Sequence, residues 1–303
     1  MFRRLTMVAN ESSTPFPCMI CGKLLDVWFL KMERMYYRCP QCGFVCIPEG
    51  VLRTEDGLSI YEDGDAIFKD DGRNEYYLDD TNTASLSRKL DWIKEYIPQG
   101  RTLLDAGSNY GHFLQLAQKT YDAQGFDVSP SAVAWSQEYF KVRNHIASIY
   151  DLVLTFQQTF DVITCWDTLE HLESPLLAIN NLASLLKPDG FLFISTPNAD
   201  SLVAHLMGKR WYYLNSEEHI SVFSLKNMTL SLEKFGLEVI SSRPIGHYYR
   251  LRYIMKKFES TSDEGFWKTF GATGKKLPDA LLDARFYLKL FDVMGIACKK
   301  KGA

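Results

Sequence analysis

Hydrophobic and polar positions change rhythm along this chain, and each change predicts a different structure. From Thr81 to Ile97, "TNTASLSRKLDWIKEYI" sets Leu86, Leu90, Ile93 and Ile97 on one helical face, and Pro98 and Gly100 stop it. Short apolar runs then alternate with helical stretches: strand "TLLDAG", helix "GHFLQLAQKTY", strand "AQGFDVS", helix "PSAVAWSQEYF". A short "HIASIY" and "DLVLTF" precede strand "FDVITCWD". Helix "LLAINNLASLLK" leads through Pro188-Asp189-Gly190 to strand "FLFISTP". This alternation predicts an α/β fold, a doubly wound and mostly parallel sheet with helices on both faces. Further on, "SLKNMTLSLEKFGLEVISSRPIG" predicts a helix, a stop at Gly236 and another strand, and the last good strand, "FDVMGIACKKK", begins near Phe291. The roughly 40 residues between, about 247–290, are too long for a simple connection. Their aromatic and basic ends have helical spacing, so a helical insertion near the mouth of the site is expected. The closing Lys299-Lys300-Lys301 run reads as a solvated end.

Upstream of this region the pattern obeys another rule. "CMIC" and "CPQC" place Cys18, Cys21, Cys39 and Cys42 as two C-x2-C knuckles with 17 residues between them. Four thiolates at that spacing suit a tetrahedral, structural Zn2+ whose coordination sphere is closed, with disulfides or unpaired thiols as the competing readings. Gly22 and Gly43 follow the knuckles and suit tight turns. Between them "LLDVWFLKMERMYYRC" alternates like a small hairpin, too short to fold on an apolar core without metal. The expected organisation is a zinc ribbon over 1–52, an acidic, glycine-bearing linker over 53–80, and a large domain over 81–303.

Composition narrows the partners. A formal charge of −3 over 303 residues gives no bulk attraction to nucleic acid or anionic membrane. No apolar run is long enough for a membrane span or a signal peptide, so a cytoplasmic enzyme is expected. Of the seven cysteines, Cys165 and Cys298 stand alone in apolar segments and read as core thiols.

Candidate chemistry begins where the first strand of the large domain ends. "LLDAGSNYGHFLQLA" turns on Gly107 and Gly111, with His112 where the third glycine of a dinucleotide fingerprint would stand. What remains is D-x-G-x-x-x-G: Asp105 at the strand end, two glycines that permit close approach, and Asn109, which tolerates a left-handed backbone. Asp127 ends the next strand 22 residues after Asp105, where an acid can accept hydrogen bonds from ribose hydroxyls. Both acids also suit a capping role. With Asp167, they converge on the carboxyl edge of the sheet and favour a cationic ligand.

Taken together, "LLDAGSNYGHF", "GFDVSP", "FDVITCWDTLEHLESP" and "LLKPDGFLFISTPN" resemble class I S-adenosylmethionine-dependent methyltransferases, over roughly Leu86 to Ile245. The resemblance implies a Rossmann-like sheet of seven strands whose last strand runs antiparallel. It implies S-adenosylmethionine as cofactor, with Asp105, Gly107, Ser108, Asn109 and Gly111 lining the methionine end. Asp127 would hold the ribose and Ser148 and Ile149 would border the adenine, with Val128 and Asp167 also among the cofactor-binding residues. Ser108-Asn109 and Ser148 depart from the small residues and the acid usual there.

For the acceptor, "RWYYLNSEEHISVFSL" resembles the substrate loop of zinc-ribbon-bearing sugar C-methyltransferases, which makes His219 the expected base with Glu218 beside it. Histidine suits that role because its ordinary pKa lies near neutral pH. Trp211, Tyr212 and Tyr213 would form pocket walls, and His171 would cap its helix or support the residues that touch substrate. The expected activity is methyl transfer to a small or carrier-linked polar metabolite, such as a sugar nucleotide or a surface-glycan precursor. An RNA methyltransferase that uses the ribbon for recognition, or a catalytically silent docking protein, are the alternatives.

Overall fold

The computed structural model describes residues 16–31, 33–50, 80–214, 218–261 and 277–302. The expected linker falls almost wholly outside these residues.

The large sheet has seven strands: β4 (Thr102–Ala106), β5 (Asp122–Asp127), β6 (Asn144–Ile146), β7 (Phe160–Trp166), β8 (Leu186–Pro197), β10 (Leu237–Pro244) and β13 (Val293–Lys300). Their spatial order is β10-β13-β8-β7-β4-β5-β6. The pairs from β8 to β6 are parallel, whereas β13 runs antiparallel to both β8 and β10. The order reverses between β4 and β7, so the carboxyl ends of those strands open the crevice where such sheets hold ligands.

Helix α1 (Asp80–Lys94) covers one face beside α2 (His112–Ala117) and α3 (Pro130–Phe140). Leu90, Ile93 and Ile97 are buried as the periodicity predicts, packed with Trp92, Leu103, Phe113 and Phe193. On the other face lie α4 (Leu152–Thr155), α5 (Pro175–Leu185) and, beyond the short α6 (Leu202–Met207) in the loop after β8, α7 (Leu225–Glu233), over a core that contains Cys165 and Cys298. Ser224 and Asn227 form a reciprocal capping box that starts α7, and Gly236 (φ 73°) follows its end as predicted.

The structure departs from the sequence reading in three places. Strand β8 begins at Leu186, before Pro188-Asp189-Gly190, because Leu186 already pairs with Phe160 across an irregular register. Lys300 is not a solvated end: its Nζ donates to the carbonyls of Ala183 (2.7 Å) and Leu186 (2.8 Å) where α5 ends, a favourable place for a cation. The 247–290 insertion is framed by strands as well as helices. In it, β11 (His247–Arg250) and β12 (Arg285–Leu288) form an antiparallel ribbon that encloses α8 (Leu251–Thr261) and α9 (Asp279–Leu282).

The cysteine segment forms the predicted hairpin, β1 (Asp26–Lys31) paired with β2 (Arg34–Arg38). Its sheet continues through β3 (Val45–Cys46) to β9 (Ser221–Val222), two residues of the loop that follows β8. Phe44 packs on Phe223 with ring centroids 5.1 Å apart, and Asn227 Nδ2 donates to the Cys42 carbonyl at 3.3 Å. Lys234 Nζ donates to the Ile20 carbonyl. The ribbon is thus built onto the sheet domain at the loop expected to meet substrate.

Candidate active site

Consecutive turns at the carboxyl edge of the large sheet bring the site together. After β4 the backbone turns through Gly107 (φ 70°), Asn109 (φ 49°) and Gly111 (φ 70°). Left-handed values at both glycines disfavour a side chain. Their neighbours forbid one as well: a Cβ on Gly107 would lie 2.6 Å from Thr168 Oγ1, and one on Gly111 would lie 2.9 Å from Ser136 Cβ. Close approach of protein to protein therefore accounts for both glycines. Asn109 occupies the left-handed position predicted for it.

Asp127 fixes this turn. Its Oδ2 accepts from the Asn109 amide at 2.8 Å and its Oδ1 from the Ser129 amide at 2.9 Å. The cap of α3 is Ser129, whose Oγ accepts from the Ala132 amide at 3.3 Å, so Asp127 is not the cap. Each carboxylate oxygen has a second lone pair. Asp105 is 2 % exposed and accepts from Thr164 Oγ1 at 2.6 Å. Burial raises its pKa to about 7 against the opposing effects of Thr164 and Lys89. Ser108 Oγ donates to Asn144 Oδ1 at 2.7 Å, and Ser148 Oγ accepts from the Tyr150 amide at 3.2 Å. Val128 is half-buried and Ile149 is buried.

Asp167 follows β7 in a left-handed conformation (φ 49°), and 40 % of its side chain is exposed. Beneath it Lys89, 3 % exposed, donates to Asp167 Oδ2 at 2.7 Å and to Ser195 Oγ at 3.2 Å, with its ammonium 5.0 Å from the centre of the Trp166 ring. Ser195 Oγ in turn donates to Asp167 Oδ1 at 2.8 Å. Desolvation opposes the charge on Asp167, yet Lys89 and then His247 bring its pKa well below the usual carboxylate range. Burial, then Lys89, lowers the pKa of His247 to about 4. Motif reasoning missed Lys89 and His247. Lys89 lies on the apolar face of α1 beside Leu86, Leu90 and Ile93, and that position was its only signal.

Across the site, the helical turn Leu169–His171 meets the loop carrying Glu218 and His219. The Ile220 amide donates to the Glu170 carbonyl at 2.9 Å, while the Ile47 amide donates to the Ile220 carbonyl at 2.9 Å. The Tyr36 hydroxyl donates to the His219 carbonyl at 3.4 Å, so the ribbon holds this loop against the turn. His219 Nδ1 lies 2.8 Å from the Tyr213 carbonyl, and His171 Nδ1 lies 3.0 Å from the Glu218 carbonyl. Their ring centroids are 4.8 Å apart. Burial and the neighbouring His171 keep the His219 pKa low, so its imidazole is neutral at physiological pH. Glu170 is 2 % exposed; burial, then Asp167, raises its pKa, and Thr196 Oγ1 donates to its carboxyl at 3.0 Å.

Several expectations change here. His171 faces His219 and does not cap its helix. Of the aromatic run, Trp211 is buried with Phe29, Tyr36 and Ile220 and roots the loop in the ribbon's core. Tyr212 bonds Asp292, and Tyr213 stands beside His219, with ring centroids 5.6 Å apart.

The four cysteines fit a tetrahedral metal. Their sulfurs all lie within 4.8 Å of one another, with Cys18–Cys42 at 3.6 Å and Cys21–Cys39 at 3.4 Å. Thiolates about 2.3 Å from one tetrahedral ion have about this separation. Gly22 (φ 76°) and Gly43 (φ 75°) make the predicted turns, and their amides donate to the Cys18 and Cys39 carbonyls. Cys46 is buried outside the set. Among the described residues, no helix is long and apolar enough to cross a membrane.

A family model described as a methyltransferase domain matches residues 76–242. Among relatives by sequence, the ubiquinone biosynthesis O-methyltransferase of Bordetella avium is 26% identical over 182 residues, covering 54% of this chain and 76% of that protein. The protein of the same name from Xylella fastidiosa is 32% identical over 117 residues, 36% of this chain and 48% of its own. Among solved structures, a chain from the complex between the Haloferax volcanii Trm112 methyltransferase activator and a methyltransferase has a TM-score of 0.55 at 13% identity, covering 81% of this chain and 99% of that one. The N-methyltransferase NodS from Bradyrhizobium japonicum, in complex with S-adenosyl-L-homocysteine, has a TM-score of 0.50 at 12% identity and covers 79% of this chain and 97% of its own. These two likenesses concern the fold. The family match spans more than half of the chain and the sheet carries the expected strand order, so the chain belongs to the class I S-adenosylmethionine-dependent methyltransferases.

Proposed function

We propose that this methyltransferase methylates a hydroxyl oxygen of a small polar acceptor, and that loss of the acceptor's proton depends on His219. The observation that carries this reading is the His219 imidazole itself. It is neutral, stands at the carboxyl edge, and keeps its Nε2 lone pair because Nδ1 is turned to the Tyr213 carbonyl. Glu218 enters through its backbone carbonyl, which orients His171. The name of the sequence relatives, ubiquinone biosynthesis O-methyltransferase, favours oxygen over the carbon of a sugar nucleotide. Neither the RNA reading nor the docking reading draws support from the family or these relatives.

In the same proposal the Gly107–Gly111 turn and Ser108 hold the methionine end of S-adenosylmethionine, and Asp127 accepts from its ribose hydroxyls. Val128, Ser148 and Ile149 border the adenine, Asp105 supports the turn from below, and Asp167 offers its carboxylate to the positive end. Transfer is an in-line displacement, so the chain's task is to hold the acceptor at near-attack distance and promote loss of its proton. Cys18, Cys21, Cys39 and Cys42 hold one structural Zn2+ that stiffens the ribbon and, through β3 and β9, the His219 loop. A transfer assay with methyl-labelled S-adenosylmethionine tests the reading against phenols and catechols, sugar nucleotides and RNA. Label in a hydroxyl-bearing small molecule is expected; label only in RNA or in a sugar carbon would overturn it.

A further inference from the structure

We propose that Glu170, His171 and His219 together bind one divalent transition-metal cation at the acceptor side of the site. This deepens the hydroxyl-methylation reading and rests on it for the cation's purpose. Each residue offers a ligand atom, and the three atoms all lie within 4.8 Å of one another. The two rings are oriented as ligands are. A backbone carbonyl can only accept, so Nδ1 of His171, 3.0 Å from the Glu218 carbonyl, carries the proton, as does Nδ1 of His219, 2.8 Å from the Tyr213 carbonyl. Each Nε2 is then an acceptor. The ring centroids stand 4.8 Å apart. Ligand histidines characteristically donate their second nitrogen to a carbonyl in this way.

The carboxylate of Glu170 is positioned too: Thr196 Oγ1 donates to Oε2 at 3.0 Å, leaving Oε1 for an ion. The backbone bond from Ile220 to Glu170 joins the two ligand-bearing segments, so the set is held before any ion arrives. Two imidazoles and one carboxylate suit Zn2+, Mn2+ or Fe2+ better than Mg2+, which prefers oxygen. Three protein ligands leave coordination positions open, which distinguishes this set from the closed cysteine set. An acceptor hydroxyl in an open position ionises near neutral pH. Its proton goes to solvent, its oxygen pair forms the bond to the methyl carbon, and the carbon–sulfur bond breaks with its electrons left on sulfur. His219 then acts by holding the cation that acidifies the acceptor.

The test uses full-length protein dialysed against chelator, given one equivalent of Zn2+ for the cysteines, and titrated with Mn2+. Binding is read from loss of the free-ion paramagnetic resonance signal. One Mn2+ per chain is expected, weakened at least about tenfold in Glu170→Gln and His219→Ala. S-adenosylmethionine affinity by calorimetry should be unchanged in both. Glu170→Gln keeps its volume, so it stays informative if His219→Ala disturbs the loop. No bound Mn2+, or equal binding in wild type and both variants, would overturn the proposal. Methyl transfer to a hydroxyl that survives chelation with no ion bound would remove the metal and leave the functional reading. Ligand-dependent Mn2+ binding without any such transfer would do the reverse.

Discussion

Lys89, three turns into the helix that covers the sheet, places its ammonium 2.7 Å from the Asp167 carboxylate, and Ser195 bonds to both. The pair fixes the floor of the site from an element that contributes no motif. Lys89→Met leaves that carboxylate without its cation. Asp167 is partly exposed, so the expected destabilisation is on the order of 1–3 kcal/mol, less than for a fully buried pair. Denaturant unfolding of Lys89→Met, Asp167→Asn and the double variant measures it. A double variant as unstable as the sum of the two would show that the residues do not act together.

The strand and motif layout of the large domain was legible because its signals are local. Apolar runs, strand-end acids and glycine turns each obey a short period, and four of them in order predict the sheet. The cysteine spacing was legible for the same reason. What escaped depends on tertiary contact. Lys89 sits on an apolar stripe, where a lysine ordinarily snorkels to water. His247 reaches the site from an insertion with no motif of its own. The docking of the ribbon rests on β3 and β9, each two residues long and too short to show alternation. Gly107 reads as a ligand requirement in sequence, yet its partner is Thr168, more than 60 residues away.

That docking changes what loss of zinc should do. Cys39→Ser is expected to lose about one zinc per chain and to loosen the Ile47–Ile220 contact that holds the His219 loop. Turnover should fall by about tenfold or more, with S-adenosylmethionine affinity within about twofold of wild type. Metal analysis and steady-state kinetics on the same preparations check this. Equal, negligible zinc in both proteins would sink the metal assignment.

Asp105 makes stability depend on pH. Its folded pKa is raised to about 7, above that of the unfolded chain, so between about pH 4 and 7 the folded state binds more protons. Its contribution is therefore fully present below pH 4 and is lost as pH rises toward 7, at up to about 1.4 kcal/mol per pH unit. Asp105→Asn should flatten that part of the stability curve. An unchanged slope would mean the carboxyl is already charged in the folded protein.

Asp127 tests the cofactor site. Asp127→Ala removes charge-assisted hydrogen bonds worth about 1.5–3 kcal/mol each, so S-adenosylmethionine affinity should drop by about tenfold or more. NAD should bind neither protein, because His112 stands where a dinucleotide turn needs its third glycine. Calorimetry with unchanged affinity for S-adenosylmethionine would remove Asp127 from the site.

The most direct measurement is labelled-methyl transfer to a hydroxyl acceptor by wild type and His219→Ala side by side, with S-adenosylmethionine affinity measured on both. A group that governs the acceptor's proton acts in the transition state and does not touch the cofactor. The account therefore predicts turnover reduced by about 10²–10⁴-fold at nearly unchanged cofactor affinity. Full turnover in His219→Ala would contradict it and mean that the acceptor is already nucleophilic and needs only to be positioned.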